Sequence, residues 1–144
     1  MSTYRIGSHT KTRLTVHLVW VTKYRYPVLD GAVKSRCRDL LRQDCNAQHI
    51  AILKGVVSTD HVHMHIEYPP KLSFSGIMKQ LKERSSHLLQ KEFPHLKKRY
   101  WGQRFWARSF GAFSTGNITD EMVQEYIEHH RTNSNDTQDN FFLE

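Results

Sequence analysis

A chain of 144 residues with 38% apolar and 11% aromatic content has the material for one compact domain with a real core. No stretch comes near the roughly 20 consecutive apolar residues of a membrane span, the polar residues 1–13 lack a secretory apolar stretch, and the two cysteines, Cys37 and Cys45, offer neither a CxxC pair nor a disulfide framework. A reduced cytoplasmic protein with no membrane partner is therefore expected.

The net charge of +7 hides an asymmetry. Residues 120–144 hold seven acids and one base, leaving 20 bases against 7 acids, or +13, in the first 119 residues. Positive charge so concentrated favours polyanion partners, because neutralised phosphates release condensed counterions.

Residues 14–22 (LTVHLVWVT) are β-branched and apolar and predict a first strand, closed by the punctuation of Pro27. Val33, Cys37, Leu40 and Leu41 recur at helical spacing, so residues 30–47 predict a helix with basic residues on its outer face. Residues 50–58 read as a second strand and residues 61–68 (HVHMHIEY) as a third that stops at Pro69-Pro70; the short break between them suggests a hairpin. A long helix over 75–93 shows Phe74, Ile77, Met78, Leu81, Leu88 and Leu89 on or near one face and ends at Pro94.

Residues 95–109 read as a connector and 110–115 as a fourth strand. Gly116-Asn117 then turns the chain into a last helix over 120–131, with Thr119 as N-cap and Ile118 with Val123 as a hydrophobic staple. The order β-α-β-β-α-β-α predicts an α+β domain: a ferredoxin-like antiparallel sheet with helices packed on it and a C-terminal helix that bears a tyrosine. The expected division is one domain over 1–131 and a polar tail over 132–144.

Alternate residues of a strand share a face. His61, His63, His65 and Glu67 therefore point one way, and Val62, Met64, Ile66 and Tyr68 the other. The second set is ordinary core. Three imidazoles in a row are an unusual choice for a solvent face, and neutral imidazole is the commonest protein metal ligand. His61 and His63 are the candidate ligands, while His65 suits packing as well as it suits ligation. The other histidines, His17 among them, are scattered and read as structural or surface residues.

The last helix, DEMVQEYIEHHR, places Met122, Tyr126 and His130 at i, i+4 and i+8, along one face. A phenol with an unperturbed pKa of about 10 is a weak nucleophile at neutral pH. It serves where a phosphodiester link must store the energy of a broken bond for rejoining. His130, one turn beyond Tyr126, is placed to complete a metal site with the histidine strand. Cations and aromatics alternate without an acid from Lys97 to Arg108, the pairing that holds single strands. Lys23 and Arg25 after the first strand, Lys79, Lys82 and Arg84 on the long helix, and Arg104 and Arg108 in the connector are the candidate nucleic-acid contacts.

Asp60-His61-Val62-His63 resembles the His-hydrophobic-His motif of the HUH endonucleases. Together with Glu125-Tyr126-Ile127-Glu128-His129-His130 it resembles the single-tyrosine transposases of the insertion sequence 200/605 group. Val19 to Arg25, Glu67 to Pro70, Lys79 to Ser86 and Phe105 to Arg108 are similar to further blocks of that family, in the same order, over about residues 5–131.

The resemblance implies homodimers with a ferredoxin-like sheet that cut and rejoin single-stranded DNA at transposon ends folded into hairpins. It implies Mg²⁺ or Mn²⁺ on His61 and His63, attack by Tyr126, a 5′-phosphotyrosine intermediate, and a tyrosine helix set against the neighbour's histidine strand. Two positions depart from the pattern: His130 stands where the family has a glutamine ligand, and His65 where an aliphatic residue is usual. Two alternatives stay open, a domesticated hairpin-binding regulator that does not cleave and a zinc hydrolase that never uses Tyr126.

Overall fold

The computed structural model describes residues 5–6, 11–12, 14–101, 103–113 and 120–132, with side chains over 14–101, 103–113 and 121–129. Two short strands, β1 (Arg5–Ile6) and β2 (Lys11–Thr12), pair with each other ahead of the main sheet; nothing in the sequence patterning marked them. The domain proper runs β3 (Leu14–Val21), a 3-10 turn at Lys23–Arg25, α1 (Gly31–Ala47), β4 (Ala51–Val57), β5 (His61–Tyr68), α2 (Phe74–Glu92), α3 (Pro94–Arg99), β6 (Gly111–Phe113) and α4 (Asp120–Thr132).

The sheet order is β4-β5-β3-β6, every pair antiparallel. This is the expected ferredoxin-like α+β arrangement. No helix among the described residues is long and apolar enough to cross a membrane.

The two faces of the sheet have different covers. Val16, Leu18 and Trp20 of β3 and Val62, Met64 and Ile66 of β5 pack against α1 (Val33, Cys37, Leu40, Leu41) and α2 (Ile77, Met78, Leu81, Leu89), all 4% exposed or less. Burying side chains of this size contributes about 1.5–3 kcal/mol each. Trp106 joins this core edge-on to Trp20. Its indole N–H donates to Ser85 Oγ at 2.9 Å, and Ser85 in turn donates to the Leu81 carbonyl at 2.6 Å, so the buried polar atoms of Trp106 and Ser85 are satisfied. The opposite face carries a smaller cluster in which Val123, Tyr126 and Ile127 of α4 cover Val19, Val21, Ala107 and Phe113. The last helix thus rests on the sheet of its own chain, where the resemblance implied a neighbour's.

Three further details depart from expectation. Pro94 does end α2, but it also opens α3 as the first-turn residue, because its fixed φ and missing N–H suit that position; the connector is therefore helical at its start. The first strand is closed by a tight turn with Tyr24 and Arg25 at positive φ (60° and 53°) well before Pro27. β4 carries a bulge between Ile52 and Lys54 that leaves Leu53 exposed. The Gly116-Asn117 turn, the Thr119 cap, the Ile118 staple and the tail over 133–144 lie outside the described residues.

Candidate active site and nucleic-acid interface

β5 holds the histidines in the predicted alternation: Val62, Met64 and Ile66 are buried beneath the helices, and His61, His63 and His65 stand half-buried on the α4 side. Antiparallel register sets Val21 beside His61, Val19 beside His63 and His17 beside His65. In the next strand over, Gly111 pairs with Val19. The ring of Tyr126 lies over Gly111, and Tyr126 is completely buried. Helix α4 therefore delivers the candidate nucleophile to the row of residues that contains His63.

The carboxylate of Asp60 orients His61. Its Oδ1 is 2.9 Å from His61 Nδ1, and its Oδ2 accepts from Arg25 Nη2 at 2.7 Å and Nε at 3.2 Å. The hydrogen bond to His61, then the Arg25 cation, hold the Asp60 carboxyl below its usual range against the opposing effect of burial. With Nδ1 so engaged, Nε2 is the nitrogen His61 presents to a ligand, the carboxylate–histidine arrangement common behind metal sites. His63 is pushed down to about 4, chiefly by burial and then by the neighbouring His17, Lys54, His61 and His65. It is thus neutral near pH 7, the form that ligates.

The donor chemistry of His61 and His63 fits a divalent cation. Among the described residues no three His, Cys, Asp or Glu side chains already converge as a closed cluster, and the side chain of His130 lies outside them.

The sequence reading missed His17. It sits on β3 with 6% exposure, its Nδ1 3.3 Å from His63 Nε2 and its ring stacked on His65. The signal was available, since His17 shares the parity of Val19 and Val21 on a strand that had to pair near the histidines.

The predicted DNA contacts divide. Lys23, Lys79, Lys82, Arg104 and Arg108 line one cleft between α2 and the connector, joined there by Lys91 and Lys97 and by a single acid, Glu83. Lys91 was not foreseen, although it continues the helical stripe of Lys79, Lys82 and His87. Lys82 has a structural task in that wall: its Nζ donates to the carbonyls of Ala107, Arg108 and Ser109 at 2.6, 3.0 and 3.3 Å.

Arg25 and Arg84 lie elsewhere, Arg25 on Asp60 and Arg84 on the Leu40 carbonyl and Gln43. Of the connector aromatics, Tyr100, Phe105 and Trp106 are core, whereas Trp101 is 87% exposed. The connector also links the two surfaces. It is zipped to the end of β3 through Lys23 N–H to Phe105 O and Ala107 N–H to Val21 O, at 2.9 and 3.0 Å. Ala107 consequently packs in the Tyr126 cluster while its neighbour Arg108 faces the cleft.

The sequence model of the family described as "Transposase IS200 like" matches residues 10–130. The transposase for insertion sequence element IS200 of Salmonella typhimurium is 34% identical over 122 residues, 85% of this chain and 80% of that protein. The ISDra2 transposase TnpA of Deinococcus radiodurans is 31% identical over 116 residues, covering 81% and 83%. A crystal structure from Deinococcus radiodurans R1 superposes with a TM-score of 0.81 at 30% identity, over 88% of this chain and 97% of that one. A REP-associated tyrosine transposase solved with a REP hairpin shares the fold at a TM-score of 0.55 and 16% identity, over 86% and 68% of the two chains. Agreement of sequence and fold over most of its length shows that the chain belongs to the IS200-like transposase family.

Proposed function

We propose that this protein cuts and rejoins single-stranded DNA at transposon ends through a 5′-phosphotyrosine link formed by Tyr126. One observation carries the reading: α4 brings Tyr126 to the same face of the same sheet as His61 and His63, over the Gly111–Val19–His63 row. The Tyr126 phenol gives up its proton as its oxygen attacks the scissile phosphorus, the bond to the 3′ oxygen breaks, and that oxygen takes up a proton and leaves as a hydroxyl. In rejoining, a 3′ hydroxyl attacks the same phosphorus, releases its proton and returns the phenol. A divalent cation, Mg²⁺ or Mn²⁺, held by His61 and His63 with His130 as third ligand, supplies positive charge against the phosphate oxygens when bound.

The basic cleft is the proposed seat of the folded DNA end. Seven cations against one acid suit a doubly stranded stem, and the REP-associated relative was solved bound to a hairpin. Because the connector ties that cleft to the Tyr126 cluster, a seated hairpin would set the adjoining single strand toward the histidine face. Assembly as a homodimer belongs to the same proposal.

The test is covalent capture. Incubated with a cognate single-stranded end and Mn²⁺, the protein should form an adduct that survives denaturation, and Tyr126→Phe should abolish it while hairpin binding persists. An adduct persisting in Tyr126→Phe would overturn the assignment. One observation favours the non-cleaving regulator: the nucleophile is fully buried in this arrangement. Hairpin binding with no adduct from any cognate end would decide for the regulator.

A further inference from the structure

Three aromatic rings stand exposed among the described residues: Tyr24 at 54%, Phe74 at 38% and Trp101 at 87%. Two of them have company. Tyr24 is met by Tyr26 and by the Lys23 ammonium, and Phe74 meets Phe110 edge-on. Trp101 has no ring or cation against it among the described residues.

A single exposed apolar side chain is ordinary on a protein surface. The backbone of this one is not. Trp101 has φ 56°, the left-handed region in which a bulky side chain is an outlier. It directly follows the C-cap of α3, where Tyr100 N–H donates to the Leu96 carbonyl at 3.0 Å and Trp101 N–H to the Lys98 carbonyl at 3.4 Å. Helices commonly place glycine or asparagine there, yet the glycine of this chain comes one residue later, at Gly102. A residue suited to the turn would be glycine, and a tryptophan suited to packing would be buried, as Trp20 and Trp106 are at 0% and 1%. Strain held at an unpacked aromatic points to a ligand.

The support is firm and its surroundings are basic. Leu96, Tyr100 and Phe105 are buried to either side, and Gln103 N–H donates to the Tyr100 carbonyl at 2.9 Å, which closes the turn around Trp101. Lys97, Lys98 and Arg99 precede the tryptophan and Arg104 follows it, with no acid between Glu92 and Asp120. Lys97, Gln103 and Arg104 line the basic cleft, so both sides of the turn that carries the indole belong to that cleft. The charge calls for a polyanion, and the bare indole face calls for a flat apolar group carried by it. A base stacked within a stem has both faces covered, so the partner is an unpaired base.

We propose that Trp101 is a stacking platform for an unpaired base of the DNA whose stem lies in the cleft. The inference rests on the reading of that cleft as the hairpin seat. Stacking tolerates any base, so Trp101 registers the place where pairing stops and not a sequence. Such a contact fixes how far the stem sits along the cleft, which phosphate contacts alone leave free to slide.

The experiment is binding of the full-length protein to two labelled DNA probes at one fixed salt concentration, read by fluorescence anisotropy. Both probes have the same stem. One carries a thymine loop and a thymine flank; the other is closed by a hexaethylene glycol linker and has no unpaired base. Trp101→Ala should weaken the thymine probe by about 5–150-fold, the loss of one base–aromatic stack. It should leave the linker probe unchanged, and the salt slope as well, because the indole carries no charge. Trp101→Phe should recover part of the loss. Tryptophan emission of the unmodified protein should be quenched more by the thymine probe than by the linker probe.

Equal weakening of both probes by Trp101→Ala would assign the ring to the stem and overturn the platform. No weakening of either, with Lys79→Ala impaired on both, would overturn the role of Trp101 and leave the cleft reading standing. Binding untouched by Lys79→Ala as well would sink the cleft itself. A changed oligomeric state of Trp101→Ala in sedimentation, at unaltered DNA affinity, would give the ring to a second copy of the chain and overturn the proposal. If Trp101→Ala does not fold, emission of the unmodified protein decides, and equal quenching by the two probes overturns the proposal.

Discussion

The ring of Tyr126 lies so close to Gly111 that a Cβ at that position would stand 3.1 Å from Cδ1 and 3.3 Å from Cε1 of the phenol. The absence of a side chain on β6 is what lets α4 seat the ring over the Gly111–Val19 pair. Gly111→Ala should displace the ring, cost about 1–3 kcal/mol of stability through overpacking, and slow adduct formation by about tenfold or more. Chemical denaturation and single-turnover adduct kinetics measure the two effects. An unchanged adduct rate would mean that the seated position of Tyr126 is not the one from which it reacts.

Asp60 bridges Arg25 and His61. Asp60→Asn removes the charge that orients the His61 ring and should lower affinity for Mn²⁺ about 10–100-fold. Hairpin affinity, which depends on the other surface, should be unchanged. Calorimetry with Mn²⁺ and a hairpin-binding assay on the same preparation check both halves.

The metal-free protein should lose stability as pH falls from about 6.5 toward about 4. His63 is pushed down to about 4 by burial and by His17, Lys54, His61 and His65, so in that window the unfolded chain binds a proton that the folded chain refuses. The contribution is fully present above the ordinary histidine value and levels off below about 4. Urea unfolding across this range should show the slope, and His63→Leu should flatten it. A slope untouched by that substitution would show that other groups carry it.

Lys82 and Lys79 should behave differently although both line the cleft. Lys82 ties α2 to three connector carbonyls, so Lys82→Ala should cost about 1.5–3 kcal/mol of stability. Lys79→Ala and Arg104→Ala, at exposed positions, should leave stability alone. Each should instead reduce the salt slope of hairpin binding by about one.

Because α4 covers the sheet of its own chain, mixing Tyr126→Phe with His63→Ala protein should restore no adduct formation, since every site then carries one lesion. Recovery, with mixed dimers verified, would show that α4 exchanges onto a neighbour's histidine face.

Much of this was legible in the residues because it rests on local rules. The strict alternation of HVHMHIEY fixes which side chains of β5 share a face, and the 3.6-residue spacing of Met122 and Tyr126 fixes a face of α4. The strand and helix order admits few packings other than a ferredoxin-like sheet. Side-chain type likewise marked His61, His63 and Tyr126 as the candidates for chemistry, since few structural tasks call for imidazoles in a row.

What tertiary structure decided was every relation between distant segments. His17 looked ordinary in its own strand and met the histidine row only when antiparallel register set it beside His65 and 3.3 Å from His63. Lys82 and Arg84 looked alike as cations two residues apart on one helix. Successive helical positions point about 100° apart, so one reached the connector carbonyls and the other reached α1. Trp101 and Trp106 were equal as aromatics in a basic stretch, and the zipping of the connector to β3 buried one and left the other in solvent. Periodicity states which way a side chain points from its own backbone; what it meets there depends on a fold that no single segment contains.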